Sequence, residues 1–312
     1  MSSSKQGLAI GLQGGGALGA FAWGVLDRLL DEPQLPLKGL SGASAGAVNA
    51  TVFAAYWPQG RDAVRAALER VWKRLSEKAA FGVLSEKPGW MPDLKLPILP
   101  AAPDIGSLAL DMTTRLFSPY QLNPMDLNPL RNILREEIDF DALVYPDAPR
   151  LIISATRVSD GRPQYFANDE INIETLMAST TLPMLHQAVE IDGEAYWDGG
   201  YTANPPLRPL LAATGVSNLL VVQLNPDRVE AQPRRAREIA HRLQQVVFNR
   251  PLVEEIEALE PEVMAGRLHL DRIVLPESLA PEGAGVDLGW QSLNLLFEAG
   301  REAAEASLSK RS

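Results

Sequence analysis

The chain contains no cysteine. That excludes disulfide staples, a thiol nucleophile and any thiolate-held zinc or iron–sulfur centre, and it fits a reducing compartment. Histidine is scarce, with three residues in 312. No H-E-x-x-H and no calcium-loop pattern occurs, so no metal site and no cofactor are expected. Basic residues are outnumbered: 29 Lys+Arg against 39 Asp+Glu leave a formal net charge of −10. An acidic chain is a poor match for a phosphate backbone, so nucleic acid is not an expected partner. Apolar residues, at 46%, are plentiful. A chain this long buries about three quarters of its unfolded surface and needs no covalent staple.

Long apolar runs are also missing, with one apparent exception. Residues 7–26 carry no charge, which invites a membrane span or a secretory signal. Seven of these twenty residues are glycine, only Lys5 precedes them, and no A-x-A site follows. The segment reads better as strand, glycine loop and helix: Leu8–Leu12, Gln13–Gly16, then Ala17–Leu30 up to Asp31-Glu32-Pro33. Neither a signal peptide nor a transmembrane helix is expected, and the cytoplasm is the expected location.

The same alternation continues. Strands are expected at 35–41, 150–158, 164–167, 219–224 and 268–275, with a hairpin at 188–197 around Asp192-Gly193. Helices are expected at 46–56, 61–78, 131–138, 174–180 and 291–309, and over 232–259 with a break at Pro251. The segment Lys87–Pro129 holds eight prolines among Trp90, Leu94, Leu96, Ile98, Leu99, Leu116 and Phe117. It reads as an inserted, partly irregular cap. Strands separated by helices predict an α/β fold with a mostly parallel sheet flanked by helices.

Three elements carry chemistry. Gly42-Ala43-Ser44-Ala45-Gly46 lies between a strand and a helix. A tight turn there lifts the serine out of the sheet, and glycines on either side avoid clashes with neighbouring backbone. The helix N-terminus behind it favours a developing oxyanion. The plainer reading is a small-residue turn with an N-capping serine.

Gly14-Gly15-Gly16-Ala17-Leu18-Gly19 is the second element. Gly14, Gly16 and Gly19 satisfy G-x-G-x-x-G, so a dinucleotide-binding oxidoreductase is a real rival. That rival needs an acidic residue at the end of the second strand. The chain has Leu40-Ser41-Gly42 there. The other use of such a loop is an oxyanion hole, in which several backbone N–H groups converge on one oxygen. The third element is Asp198-Gly199-Gly200, a carboxylate at a strand end that is also compatible with an ordinary turn.

A serine triad would need a histidine. His241 sits on a polar helix, His269 opens the last strand, and His186 precedes Asp198 in an apolar run. None has the setting of a catalytic base, so Ser plus Asp is better supported than Ser, His and Asp.

Taken in order, the glycine loop, the Ser44 elbow and Asp198-Gly199-Gly200 resemble the signature blocks of patatin-like phospholipases. Smaller blocks also match: Ser118-Pro119 to Leu130, Ala155-Thr156, Ala178-Ser179 to Pro183, and Asn204-Pro205-Pro206-Leu207. The likeness spans about residues 7–225 and fades beyond. It implies a three-layer α/β/α catalytic domain over 1–312, the cap at about 85–130 and an extension over 226–312. It also implies a lipid acyl hydrolase with Ser44 as nucleophile and Asp198 as general base. The amides of Gly14, Gly15 and Gly16 would form the oxyanion hole, with Gly42, Gly46, Gly199 and Gly200 supporting the turns. Many members of the family carry Arg or Lys where this chain has Leu18, which weakens the case for a charged phospholipid headgroup.

The expected partner is a lipid or acyl-ester substrate. The apolar cap has two readings: a cover for an acyl chain that touches a membrane surface, or a satellite core packed on the sheet. The arginines 234, 235, 237 and 242 read either as a site for anionic lipid or as a solvated helix face. Two alternatives to a hydrolase stand: the nucleotide-binding oxidoreductase, and an inactive relative that only binds lipid.

Overall fold

The computed structural model describes residues 7–80, 118–123, 126–229, 232–279 and 287–309. Most of the expected cap lies outside these residues. Eight strands form one sheet: β1 Leu8–Leu12, β2 Leu37–Gly42, β3 Arg150–Arg157, β4 Pro163–Ala167, β5 Val189–Ile191, β6 Glu194–Asp198, β7 Asn218–Gln223 and β8 His269–Val274. The order is β5-β6-β3-β2-β1-β7-β8, with β4 also paired to β3. Strands β3, β2, β1, β7 and β8 run parallel, while β4, β5 and β6 are antiparallel additions. The sheet is mixed and mostly parallel, as the alternation of strands and helices predicts.

The helices are α1 Gly19–Leu29, α2 Ala45–Tyr56, α3 Arg61–Ala80, α4 Pro119–Leu122, α5 Pro129–Glu137, α6 Ile173–Thr180, α7 Leu207–Thr214, α8 Ala236–Met264 and α9 Trp290–Ser309. The central strands are buried on both faces, and side chains at alternate positions go to opposite layers. Leu8, Ile10 and Leu12 of β1, with Leu220 and Val222 of β7, join the core that includes α1, α2, α3 and α9. Ala9, Leu219 and Val221 face the second core, with Leu207 and Leu210 of α7 and Leu252 and Leu259 of α8. This is a three-layer α/β/α arrangement.

Two features depart from expectation or exceed it. Helix α8 runs unbroken through Pro251 and Pro261. Proline at 251 removes one N–H from the helical ladder. Phe248, Leu252 and Leu259 are buried around it, and that packing keeps the helix continuous. Helix α9, beyond the recognisable motifs, packs tightly on α1. A Cβ on Gly24 would meet the Phe297 carbonyl carbon at 2.7 Å, and one on Gly300 would meet the Phe21 carbonyl carbon at 3.0 Å. The two glycines let the backbones approach at one crossing, beside the Trp23–Phe297 ring contact at 4.1 Å.

Candidate active site

The site forms where four chain segments meet at the carboxyl end of the sheet. Leu12, the last residue of β1, is in register with Gly42, the last of β2, so the two following loops leave side by side. One edge of β3 is shared. Its first half pairs with β2 up to Gly42↔Ile153, and its second half pairs with β6 from Ala155↔Asp198. Strand β4 takes the opposite edge. Strands β2 and β6 therefore point their carboxyl ends at each other, and Ser44 and Asp198 arrive in one place.

Ser44 has φ 52° and ψ −128° at the N-terminus of α2. A non-glycine residue there is strained by roughly 1–3 kcal/mol and must be held by its surroundings. Its amide donates to the Ser179 carbonyl at 3.0 Å and to Ser179 Oγ at 3.2 Å. The turn closes because its flanks lack side chains. A Cβ on Gly42 would run into the Gly46 backbone, and one on Gly46 into the Leu12 carbonyl oxygen.

Asp198 is fully buried. Its Oδ1 accepts the Gly200 amide at 2.7 Å. Its Oδ2 is buried and completes no hydrogen bond. Burial pushes its pKa up to about 7, while the neighbouring Ser44 hydroxyl and the Gly200 amide pull it down. The backbone is held from two sides. Asp198 N donates to the Thr181 carbonyl at 2.8 Å, and the Thr156 hydroxyl donates to the Asp198 carbonyl at 2.7 Å. The end of α6 thus grips both residues, Ser44 through Ser179 and Asp198 through Thr181. Gly199 packs on the Ser154 carbonyl and Gly200 on the Phe248 ring, where a side chain would collide.

The glycine loop faces the serine. A Cβ on Gly14 would sit 2.7 Å from the Ser44 Cβ. One expectation needs correction here. The Gly14 amide is not a free donor, because it donates to Asn204 Oδ1 at 2.6 Å. The Gly15 and Gly16 amides have no hydrogen-bond partner among the described residues. Gly16 has φ 59°, a backbone conformation that favours glycine.

Sequence reasoning missed the residues that hold this loop. Asn204 is fully buried, and its Nδ2 donates to the Phe248 carbonyl at 2.9 Å. It ties the loop to α8. Gln13 does the same from the other side. Its Oε1 accepts the amides of Leu224 and Asn225, and its Nε2 donates to Asn249 Oδ1 at 2.9 Å. The only advance signal for Asn204 was its place in the matching Asn-Pro-Pro block, with no role attached.

None of the three histidines bonds Ser44 or Asp198 among the described residues. His241 bonds Gln245 and His269 pairs with Asp271. His186 is buried enough that its pKa is lowered, and Asp126 offsets part of that. Among the described residues no cluster of His, Asp and Glu could hold a metal ion, and no helix is long and apolar enough to cross a membrane.

The architecture and its strained serine beside a buried carboxylate define a class: α/β/α proteins with a tight strand-to-helix turn carrying a serine at the end of a parallel strand. Within that class, the profile of the patatin-like phospholipases matches residues 11–211, and the chain belongs to that family. It is thereby a member of a family of lipid ester hydrolases. Among solved structures, VipD from Legionella pneumophila aligns at 13% identity over 98% of this chain and 67% of its own, with TM-score 0.48. The type III effector ExoU aligns at 18% identity over 97% of this chain and 53% of its own, with TM-score 0.40. ExoU in its complex with SpcU from Pseudomonas aeruginosa gives 18%, 98%, 52% and 0.39 for the same four quantities. The chain spans about two thirds of the first and about half of the ExoU chains. No curated protein sequence matches.

Proposed function

We propose that the protein hydrolyses carboxylic esters of fatty acids through a Ser44–Asp198 dyad. One observation carries this reading: Ser44, in a strained turn, stands beside a buried carboxylate with one unpartnered oxygen and a pKa near 7. A carboxylate at its usual pKa is a feeble base toward a hydroxyl, and one raised toward neutrality is a better match.

In this mechanism Asp198 Oδ2 takes the Ser44 proton as Oγ attacks the ester carbonyl carbon. The carbonyl π electrons move onto oxygen, and the Gly15 and Gly16 amides stabilise that charge, aided by the N-terminus of α2. Collapse breaks the bond to the alkoxy group, which leaves with the proton from Asp198. Water, deprotonated by Asp198, then attacks the acyl-Ser44 carbonyl carbon; collapse breaks the bond to Oγ, Asp198 returns the proton to Ser44, and the fatty acid leaves. Phospholipid, lysophospholipid or another lipid ester is the substrate class. Leucine at 18, instead of a base, favours esters whose headgroup needs no cation at the loop.

The test is hydrolysis of a p-nitrophenyl acyl series from short to long chains, with Ser44→Ala and Asp198→Asn beside the wild type and folding checked by circular dichroism. Turnover by the wild type and roughly a thousandfold loss or more in both folded variants is expected. A wild type silent at every chain length, or a Ser44→Ala variant as active as the wild type, overturns the reading. The first outcome would leave a lipid-binding relative without catalysis.

A further inference from the structure

Helix α8 presents an apolar stripe that nothing in the described structure covers. Ile239, Leu243, Val246 and Val247 are 43, 61, 46 and 45% exposed. Their spacing of four, three and one places them on one helical face. The opposite face, with Gln245, Phe248, Asn249 and Leu252, is buried. The stripe's position follows from the topology. Helix α8 leads into the start of β8, at the amino end of the sheet, so its own N-terminal half lies at the carboxyl end. Phe248 marks the level of the site, since its ring packs on Tyr201 at 4.8 Å and its carbonyl holds Asn204. The helical residues before Phe248, from Ala236 to Val247, extend roughly 18 Å at 1.5 Å per residue.

The charge around the stripe runs against the rest of the molecule. In a chain of net charge −10, Arg228, Arg234 and Arg242 flank this half of the helix. None of them has a carboxylate within ion-pair distance among the described residues. Arg242 meets only the Pro226 and Asp227 carbonyls and the Gln245 amide. Beside the stripe runs a groove of about 550 Å³ that Val246, Arg228 and Arg242 line together with the ion-paired Arg250 and Arg272 and the acidic Asp227, Glu257 and Glu260. An apolar ridge with unpaired arginines at its flank matches an anionic bilayer surface, with acyl chains meeting the ridge and headgroups the guanidinium groups.

We infer that the N-terminal half of α8 docks the protein on an anionic lipid surface and turns the Ser44 site toward it. The inference rests on the lipid-ester reading above and moves membrane contact from the cap to this helix. The absence of native cysteine makes the test direct. Leu243→Cys, labelled with an environment-sensitive fluorophore on the full chain, is mixed with phosphatidylcholine vesicles with or without phosphatidylserine. The expected result is a blue shift and brighter emission on the phosphatidylserine vesicles, weaker on the neutral ones. The same label at Asp62→Cys should not respond, because Asp62 lies near the amino end of the sheet, where its neighbour Arg61 holds the carboxyl end of α1. Vesicle co-sedimentation of Ile239→Glu/Leu243→Glu should fall on the order of tenfold from wild type.

The inference is overturned if the label does not respond to anionic vesicles. It is also overturned if the label is already in an apolar setting in buffer, which means another part of this chain or a second copy covers the stripe. Sedimentation velocity separates those two. Ester hydrolysis is read separately, so a silent wild type whose label still responds would retire the dyad reading and leave the docking face standing.

Discussion

Asp198 has opposite effects on stability and on chemistry. Its ordinary pKa of 3.8 belongs to the unfolded chain, and its folded value is about 7. Between those values the folded state holds a proton that the unfolded state releases. Stability therefore falls as pH rises through this window and levels off above pH 7. The full cost of ionising the buried group is at most roughly 4 kcal/mol. Asp198→Asn should then raise the melting temperature, most above pH 7 and hardly at all near pH 4, while abolishing turnover. Thermal melts across pH decide it; a variant less stable than wild type at pH 8 would contradict the burial argument. Under the proposed mechanism, kcat/KM should rise with pH up to about 7 and then flatten.

Asn204 makes a second residue-level prediction. It holds the Gly14 amide and so aims the next two amides of the loop. Asn204→Ala leaves buried partners unpaired, at about 1–3 kcal/mol, and frees the loop. Under the proposed mechanism turnover should fall far more than substrate affinity, because there the loop's donors act on charge that develops only in the transition state. A rise in KM with kcat unchanged would show that Asn204 serves binding instead.

At the scale of elements, the crossing of α1 and α9 depends on two absent side chains. A methyl group on Gly24 or Gly300 would run into the facing backbone, which cannot move as the end of a flexible side chain can. Gly300→Ala should cost about 1–3 kcal/mol of unfolding free energy by denaturant titration, with kinetic constants on a soluble ester unchanged. Helix α8 shows why the same reasoning fails when only local rules are applied. Proline at 251 argues for a break, and the buried side chains on both sides override it. Helical periodicity made α3 legible through Val64, Leu68 and Val71, which do face the core. The pairing of β6 on the edge of β3 beyond β2 had no such mark, since nothing in Ala195-Tyr196-Trp197 states which strand it joins.

For the whole molecule, the dyad mechanism draws its base from Asp198 and its oxyanion donors from backbone amides. Treatment with a chelator should leave the rate of ester hydrolysis unchanged; loss of activity that a divalent cation restores would overturn the mechanism. The acidic surface makes one further point. With a net charge of −10, overall attraction to an anionic surface is unfavourable. Under the docking proposal, contact comes from a local cluster, the arginines around the N-terminal half of α8.

The sequence by itself determined the local geometry. Small residues at 42 and 46 permit a tight turn between a strand and a helix, and the unbroken apolar runs of β1 and β7 require layers on both faces. Order and spacing of three short blocks were enough for the family. Only the tertiary structure decided which distant groups meet. It set Asp198 against Ser44 through a shared strand edge, took the Gly14 amide away for Asn204, and brought α8 over the site. Short-range sterics and periodicity are written in neighbouring residues. Burial, a shifted pKa and a satisfied or unsatisfied amide depend on atoms that the chain supplies from far away.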